Sequence, residues 1–518
     1  MHVDYLVLGS GLAGLSFAAL AAHRGRRVVV VEAHEHPGGY GHTFSYGKAP
    51  KEYRFNAQLH YVWNCGPEQT VGRFLRKLDL DREVTFEPLD PLAFDRMRLP
   101  GLALDVPYDR ELLIERLVAL FPAHADACRG FVREVFAVAD ELDRFPTGLG
   151  PLAFASRLHQ LRRVIRWRNA TLGEVFSHFR LPAEARALLA LQWPDFMLPP
   201  RDLSFFAWVM LFVGYTRGAS YPTRHFEHVV DSLVRRVRES GGAVRTCHRV
   251  TGFVLEAGRV VGAEIEEVDA DGAAVGPRFT QRAAHVVCNM DPRRAAEMIG
   301  LDRFSAPVRR RLDAQPSVSN FMAYCAVEGL DLEARGFGRN NLFHAEHPDL
   351  DATFDDMVLR GDYRRPSFAV SVPSLLTPVR TDCPPGQHIV EILTAADYSR
   401  WQTLKNASAR AYADAKKAVF ERICEVIERD HLPGFRDHLT LKLLGSPSTN
   451  QRYAGAPQGG SYGAALIPSQ MGPGRLGADS SIPGLSFCSA TAGYPGFAGT
   501  IWTGSTLYGR LESDRFLP

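Results

Sequence analysis

Val3-Asp4-Tyr5-Leu6-Val7-Leu8 runs directly into Gly9-Ser10-Gly11-Leu12-Ala13-Gly14, and an apolar, helix-like stretch follows. A second apolar run, Val28 to Val31, ends on Glu32, 18 positions beyond Gly14. The order is strand, glycine turn, helix, strand, acid, and this context gives a spaced glycine triplet its meaning. Gly9 permits the tight turn, Gly11 lets the backbone approach a pyrophosphate, and Gly14 lets the helix pack closely on the sheet. The helix N-terminus offers free N–H groups and a positive dipole end to phosphates. Glu32 can accept hydrogen bonds from ribose hydroxyls, and its charge would repel a 2′-phosphate. The pattern predicts a dinucleotide site on a doubly wound α/β fold.

At 518 residues the chain exceeds the size at which one core stops growing, so two closely joined domains are expected. Apolar residues at 46% and charged residues at 23% are ordinary for a soluble globular protein. The net charge of +2 gives no general attraction to nucleic acid, so no nucleic-acid partner is expected. Eight cysteines are scattered singly, with neither CxxC nor metal-type spacing, so no metal site is expected. There is no GxSxG either. Met1 lies two residues before the first strand, leaving no room for a signal or transit peptide. The longest strongly apolar run, Leu203 to Tyr215, is too short for the roughly 20 residues a membrane span needs. These features predict a cytoplasmic protein, with peripheral membrane contact as an addition discussed below. Oligomeric state is not legible.

Texture divides the chain. The nucleotide-binding α/β pattern covers 1–99, returns over 215–305 and closes over 442–518. Residues 100–214, mainly helical, and 306–441, mixed strands with a long helix from about Lys405 to Arg429, form two excursions. One discontinuous nucleotide fold, interrupted twice by an α+β substrate-binding domain with a helical part, accounts for this better than tandem domains. The closing segment is glycine-rich and ends in a predicted helix, Gly499 to Leu511.

Past Glu32 and Ala33 comes a second glycine pair, in Pro37-Gly38-Gly39-Tyr40-Gly41-His42-Thr43-Phe44. The GxGxxG, acid and PGG opening resembles FAD-containing amine oxidases and phytoene desaturases. Its continuation, with Phe55 to Val62, resembles the carotenoid isomerase and retinol saturase branch. Gly218 to Pro222, Val286-Val287-Cys288-Asn289-Met290-Asp291-Pro292 and Tyr494-Pro495-Gly496-Phe497-Ala498-Gly499-Thr500 resemble three further blocks of that family. The usual glycine pair after Tyr-Pro is replaced around His225, and no arginine follows Gly39. The resemblance implies a Rossmann-type FAD-binding domain. Its cofactor contacts would be Gly9, Gly11, Leu12, Ala13, Gly14, Glu32, Ala33, Gly38, Gly39, His42, Thr43 and Asn289, with Gly496, Gly499 and Thr500 at the isoalloxazine. Tyr221 and Val250 are expected by the same analogy near the adenine half.

The resemblance further implies an FAD-dependent oxidoreductase acting on carbon–carbon double bonds of a hydrophobic polyene, carotenoid, retinoid or terpenoid-like substrate. Desaturation, saturation and cis–trans isomerisation stay open. The alternatives are a flavin amine oxidase and a catalytically silent lipid-binding flavoprotein. His60 and Tyr61 follow the second glycine pair, where either could donate a proton to, or steady charge on, the substrate; a structural histidine is the other reading. Asp195, in an otherwise apolar run, is a further candidate acid whose pKa would rise in a dry site. His225 is a weaker one. The run Leu191 to Leu198 with Phe205, Phe206, Trp208, Met210, Leu211 and Phe212 is read as a tunnel lining or as plain core. Arg157, Arg162, Arg163, Arg166 and Arg168, interleaved with Leu158, Leu161, Val164, Ile165 and Trp167, are read as a membrane-facing patch or a solvated helix face.

Overall fold

Strand Val3–Leu8 sits at the centre of a parallel sheet, between Val28–Val31 and Phe279–Cys288. Ala243–Arg245 and Leu485–Phe487 extend that sheet on its two sides. These are features of a computed structural model, which describes residues 2–144 and 156–517. The four valines of Val28–Val31 are all buried, as a parallel strand covered on both faces requires. The N-terminal half of Phe279–Cys288 instead pairs antiparallel with Arg259–Glu267, which carries His248–Glu256 as a hairpin partner. Helix Leu12–His23 is buried from Leu12 to Ala22, because it lies under both His225–Glu239 and Phe497–Leu511.

A second, seven-stranded sheet runs in the order Leu439–Gly445, Ser319–Glu328, Gln387–Ala396, Ser367–Ser371, Asn341–Ala345, Asp95–Leu99, Leu102–Val106. Its pairs are antiparallel except that between Asn341–Ala345 and Asp95–Leu99. The hairpin of Asp95–Leu99 and Leu102–Val106 thus lies wholly in this sheet, and a boundary at 99 cuts through it. The chain then turns helical, with Arg110–Leu120, Ala125–Arg144, Leu172–Phe179 and Phe205–Thr216 among the helices. Asp109 accepts from Leu112 N and Thr171 forms a capping box with Glu174, so these starts are written locally.

Two expected helices differ in extent. The long helix from Lys405 to Arg429 is two helices, Tyr398–Ala407 and Ala409–Asp430, because Ser408 is extended and its hydroxyl caps the second at Ala411 N. The closing helix begins at Phe497 rather than Gly499. Among the described residues, no helix is long and apolar enough to cross a membrane. All eight cysteines are free thiols.

Candidate active site

The two glycine turns stack on each other. Gly9 has φ +96° and Gly38 has φ +115°, a region an L side chain rarely adopts. Gly38 N donates to Ser10 O at 3.0 Å, and a Cβ on Gly39 would lie 3.1 Å from Gly11 Cα. A Cβ on Gly11 would lie 2.6 Å from Asn289 Oδ1, so Gly11 makes room for that side chain as well as for a ligand. Gly14 packs the helix onto the turn, since its Cβ would meet Gly9 O at 2.7 Å. Glu32 holds the turn in shape: its Oε2 accepts from Ser10 N (2.8 Å) and Ser10 Oγ (2.7 Å), and its Oε1 accepts from His34 N (2.9 Å). Helices Leu12–His23 and Phe497–Leu511 both start from a glycine, Gly11 and Gly496, with no side-chain cap, so their first N–H groups are free for a ligand.

A single cavity of about 1740 Å³ adjoins both helix starts. Gly9, Gly11, Leu12, Ala13, Glu32, Ala33, Gly38, Gly39, Val250, Asn289, Gly496, Gly499 and Thr500 line it, as do His60, Tyr61 and Asp195. The remaining predicted site residues do not. Gly14 lies beneath the turn. His42 is buried with Nδ1 2.6 Å from Gly39 O, and burial pushes its pKa down to about 4. Thr43 opens a surface hairpin, facing Asn56. Tyr221, expected near the adenine, is fully buried: its hydroxyl takes a hydrogen bond from Asn56 Nδ2 at 2.8 Å and meets His225 Nδ1 at 3.1 Å. His225 is likewise occupied, with Nε2 2.9 Å from Val379 O. Strand Ser220–Pro222 is clamped between Phe86–Pro88 and Val62, which keeps Tyr221 in the core, and His225 opens the helix that follows.

His60, Tyr61 and Asp195 belong to two buried polar networks. His60 Nδ1 lies 2.9 Å from Glu391 Oε2, and the other carboxylate oxygen accepts from Asn56 N at 3.0 Å. Glu391 is completely buried, and burial raises its pKa although the His60 bond opposes the shift. His60 Nε2 is buried without a hydrogen-bond partner, and the residue lines the cavity. Tyr61 stacks on Tyr215, with ring centroids 4.0 Å apart. Its hydroxyl lies 3.0 Å from Asp95 Oδ2 and 3.4 Å from Asp195 Oδ2. Gln192 Nε2 donates to that hydroxyl at 3.2 Å and to Asp95 Oδ2. Burial pushes the Asp195 carboxyl up to about 7, with His60 and Tyr61 opposing the shift.

Sequence reading missed Glu391, Asp95 and Gln192. Glu391 is a lone acid inside Ile389-Val390-Glu391-Ile392-Leu393, on a strand with every residue from Ile389 to Ala396 buried, and that mismatch was a usable signal. The apolar tunnel divides. Phe196, Met197, Phe206, Met210 and Leu211 reach the cavity. Trp193, Phe205, Trp208 and Phe212 are fully buried core, the last two stacked at 4.5 Å.

Comparisons with known proteins agree with this layout. A family model described as an NAD(P)-binding Rossmann-like domain matches residues 7–78. The chain is 25% identical over 510 residues to all-trans-retinol 13,14-reductase of Macaca fascicularis, covering 93% of this chain and 81% of that one. Against prolycopene isomerase 2, chloroplastic, of an Oncidium hybrid cultivar, it is 23% identical over 532 residues, covering 95% and 80%. Putrescine oxidase bound to putrescine superposes with a TM-score of 0.63 at 13% identity, covering 99% of both chains. An oxidoreductase from Methanosarcina mazei gives 0.60 at 16%, covering 97% of this chain and 99% of that one. The structural matches establish a shared fold, and the sequence matches run through both sheets and the helical part between them. Over nearly its whole length the chain is therefore similar to all-trans-retinol 13,14-reductases and prolycopene isomerases.

Proposed function

We propose that the protein is an FAD-dependent oxidoreductase acting on carbon–carbon double bonds of a hydrophobic, conjugated substrate. The reading rests on one cavity that joins two chemistries. Its lining carries the glycine turns and the free N–H groups of two helices, and also Met197, Phe206, Met210 and Leu211 with the partly buried Asp195. The names of the relatives, a retinol reductase and a prolycopene isomerase, support the substrate class.

The residues present fit FAD. Gly9, Gly11, Gly38 and Gly39 leave backbone exposed where a pyrophosphate would be held, with Glu32 beside the ribose and Ala33 and Val250 toward the adenine. Gly496 and Gly499, at the start of the closing helix, would grip the far end. When bound, FAD supplies the hydride carrier. The chain supplies the rest. Apolar side chains line the space, and Asp195, its carboxyl raised to about 7, holds a proton below neutrality for delivery to the substrate. His60, fixed through Nδ1 by Glu391, lines the same cavity, and its Nε2 is buried without a hydrogen-bond partner.

The test is spectroscopic. The purified protein is expected to be yellow, and under anaerobic conditions a retinoid or carotenoid bleaches the oxidised flavin or re-oxidises the chemically reduced one. A colourless preparation that takes up no FAD overturns the reading. So does peroxide release from amines without any response to polyenes.

We also propose that the substrate is drawn from an anionic bilayer. The helical face around Arg162–Trp167 leaves Leu158 and Ile165 exposed, and Arg157, Arg162 and Arg168 have no acidic partner among the described residues. Val164 and Arg168 also line the cavity, which therefore reaches this face. Trp167, read as part of the patch, is buried instead, donating to Glu134 at 2.8 Å, and Arg163 is tied to Glu134 and Glu141. In flotation with phosphatidylserine-containing vesicles, wild type is expected to float and a variant with Arg157, Arg162 and Arg168 changed to Ser to stay at the bottom. Equal flotation removes the proposal.

A further inference from the structure

We propose that Asp95, a carboxyl outside the cavity, is a positioning residue that stores a proton and returns it to Asp195 through the Tyr61 hydroxyl. This rests on the reading of Asp195 as the cavity's proton donor. Asp95 opens strand Asp95–Leu99, on the second sheet, and is fully buried. It does not line the cavity, whereas Tyr61 and Asp195 do. Among the described residues, the Tyr61 hydroxyl is the one group hydrogen-bonded to both carboxyls, at 3.0 Å and 3.4 Å.

The surroundings suit a carboxylic acid better than a carboxylate. Among the described residues, no lysine, arginine or histidine is hydrogen-bonded to Asp95. Its partners are the Tyr61 hydroxyl and two amides, Gln192 and Asn341, the latter donating at 3.4 Å. The oxygens of those same two amides, Gln192 Oε1 and Asn341 Oδ1, are buried with no donor. A carboxylate at Asp95 would add further acceptor capacity to a place that already has two unmet acceptors. Two carboxyls sharing one hydroxyl also resist ionising together. The titratable groups facing the chain are His60 beside Asp195, Tyr215 against Tyr61 and Asp195, Tyr462 near Asp195, and Tyr108 near Asp95. Burial and the neighbouring Asp195 carboxylate hold the Asp95 pKa well above the usual carboxylate range.

The transfer is a concerted shift of two protons. Once Asp195 has given its proton to the substrate, the Tyr61 O–H bond breaks as its proton bonds to Asp195. In the same motion the Asp95 O–H bond breaks and its proton bonds to the Tyr61 oxygen. One proton moves net from Asp95 to Asp195, Tyr61 ends as it began, and no electron moves. Gln192 holds the Tyr61 oxygen and Asp95 Oδ2 together through one amide nitrogen.

Two measurements on the full-length holoprotein test this. Infrared difference spectra across a pH titration count protonated buried carboxyls through their carbonyl stretch. Below neutral pH, Asp95→Asn is expected to remove one such band and to leave that of Asp195. In steady-state kinetics, Asp95→Asn is expected to lower kcat about tenfold with KM unchanged, the deficit widening above pH 7 as Asp195 depends more on resupply. Tyr61→Phe, which keeps the ring and cuts the relay, should show the same kinetic deficit with the Asp95 band retained, and Asp95→Glu should recover part of the rate. The proposal falls if Asp95→Asn leaves every carboxylic acid band in place. It also falls if Asp95→Asn and Tyr61→Phe lower stability while the pH profile of kcat keeps its wild-type shape. If no polyene is turned over, the proposed function fails on that ground, and the infrared bands still decide whether Asp95 carries a proton. Should Asp95→Asn not fold, Tyr61→Phe carries the kinetic arm and the wild-type titration the spectral one.

Discussion

Asp195→Asn is expected to lower kcat on a polyene substrate by about 10²- to 10⁴-fold, the range for loss of a positioned general acid. Binding of the flavin should be unaffected, because Asp195 stands with Tyr61 and His60 and not at the glycine turns. Burial raises its carboxyl to about 7. The donor is therefore protonated below neutrality, and the wild-type rate should decline above pH 7, approaching tenfold per pH unit. The residual rate of Asp195→Asn should lack that decline. The sign for stability is the same. A carboxyl whose folded-state value is raised favours the fold while protonated, and that contribution is withdrawn as pH rises toward about 7. Wild type should therefore lose more stability than Asp195→Asn between acid and neutral pH, read by urea titration at each pH. A wild-type profile that stays flat through pH 8, or an unimpaired variant, assigns the proton to another group.

Gly504→Val is the most disruptive single change expected far from the buried acids. Gly504 lies in the closing helix Phe497–Leu511, where that helix crosses Leu12–His23. A Cβ there collides with the Ala13 carbonyl oxygen and would lie 2.9 Å from Ser16 Cβ and 3.0 Å from Phe17 N. All three sit on the first helix, whose backbone has no freedom to yield. Overpacking of this kind costs about 3 kcal/mol, and branching at Cβ adds to it. The same displacement carries Gly496, Gly499 and Thr500 away from the cavity they line. Loss of flavin absorbance per protein and a lower unfolding midpoint should therefore appear together. Gly509→Ala is the control: its new Cβ meets only Arg515 and Asp514 at 3.4 Å, and the change should stay within about 1 kcal/mol of wild type.

The nucleotide end of the cavity was legible because its parts are local. Strand, glycine turn, helix and Glu32 occupy one short stretch, and each residue type answers a backbone demand that can be stated without knowing the partners. The buried acids were only half legible. Tyr61 could be suspected from its place after the second glycine pair and Asp195 as an acid in an apolar run, but their partner Asp95 and the His60 partner Glu391 come from strands of the second sheet. Which strands neighbour each other is decided by crossovers, and no local periodicity reports that. Asp95 was further hidden by its flanks, since Asp95-Arg96 reads as a solvated pair, although Asp95 points inward and Arg96 outward. Tyr221 and His225 lie off the cavity for other reasons: analogy carried Tyr221 toward the adenine, but strand pairing with Phe86–Pro88 holds it in the core, and His225, read as a weaker acid, is occupied by Tyr221 and Val379 O.

The discontinuity of the first sheet bears on how the protein is made. Strand Val3–Leu8 leaves the ribosome long before its neighbour Phe279–Cys288, which itself waits for Leu485–Phe487, and helix Leu12–His23 waits for Phe497–Leu511. For most of translation an apolar hairpin of sequence has nowhere to dock, which favours chaperone engagement during synthesis and holds cofactor loading back until the last helix has emerged.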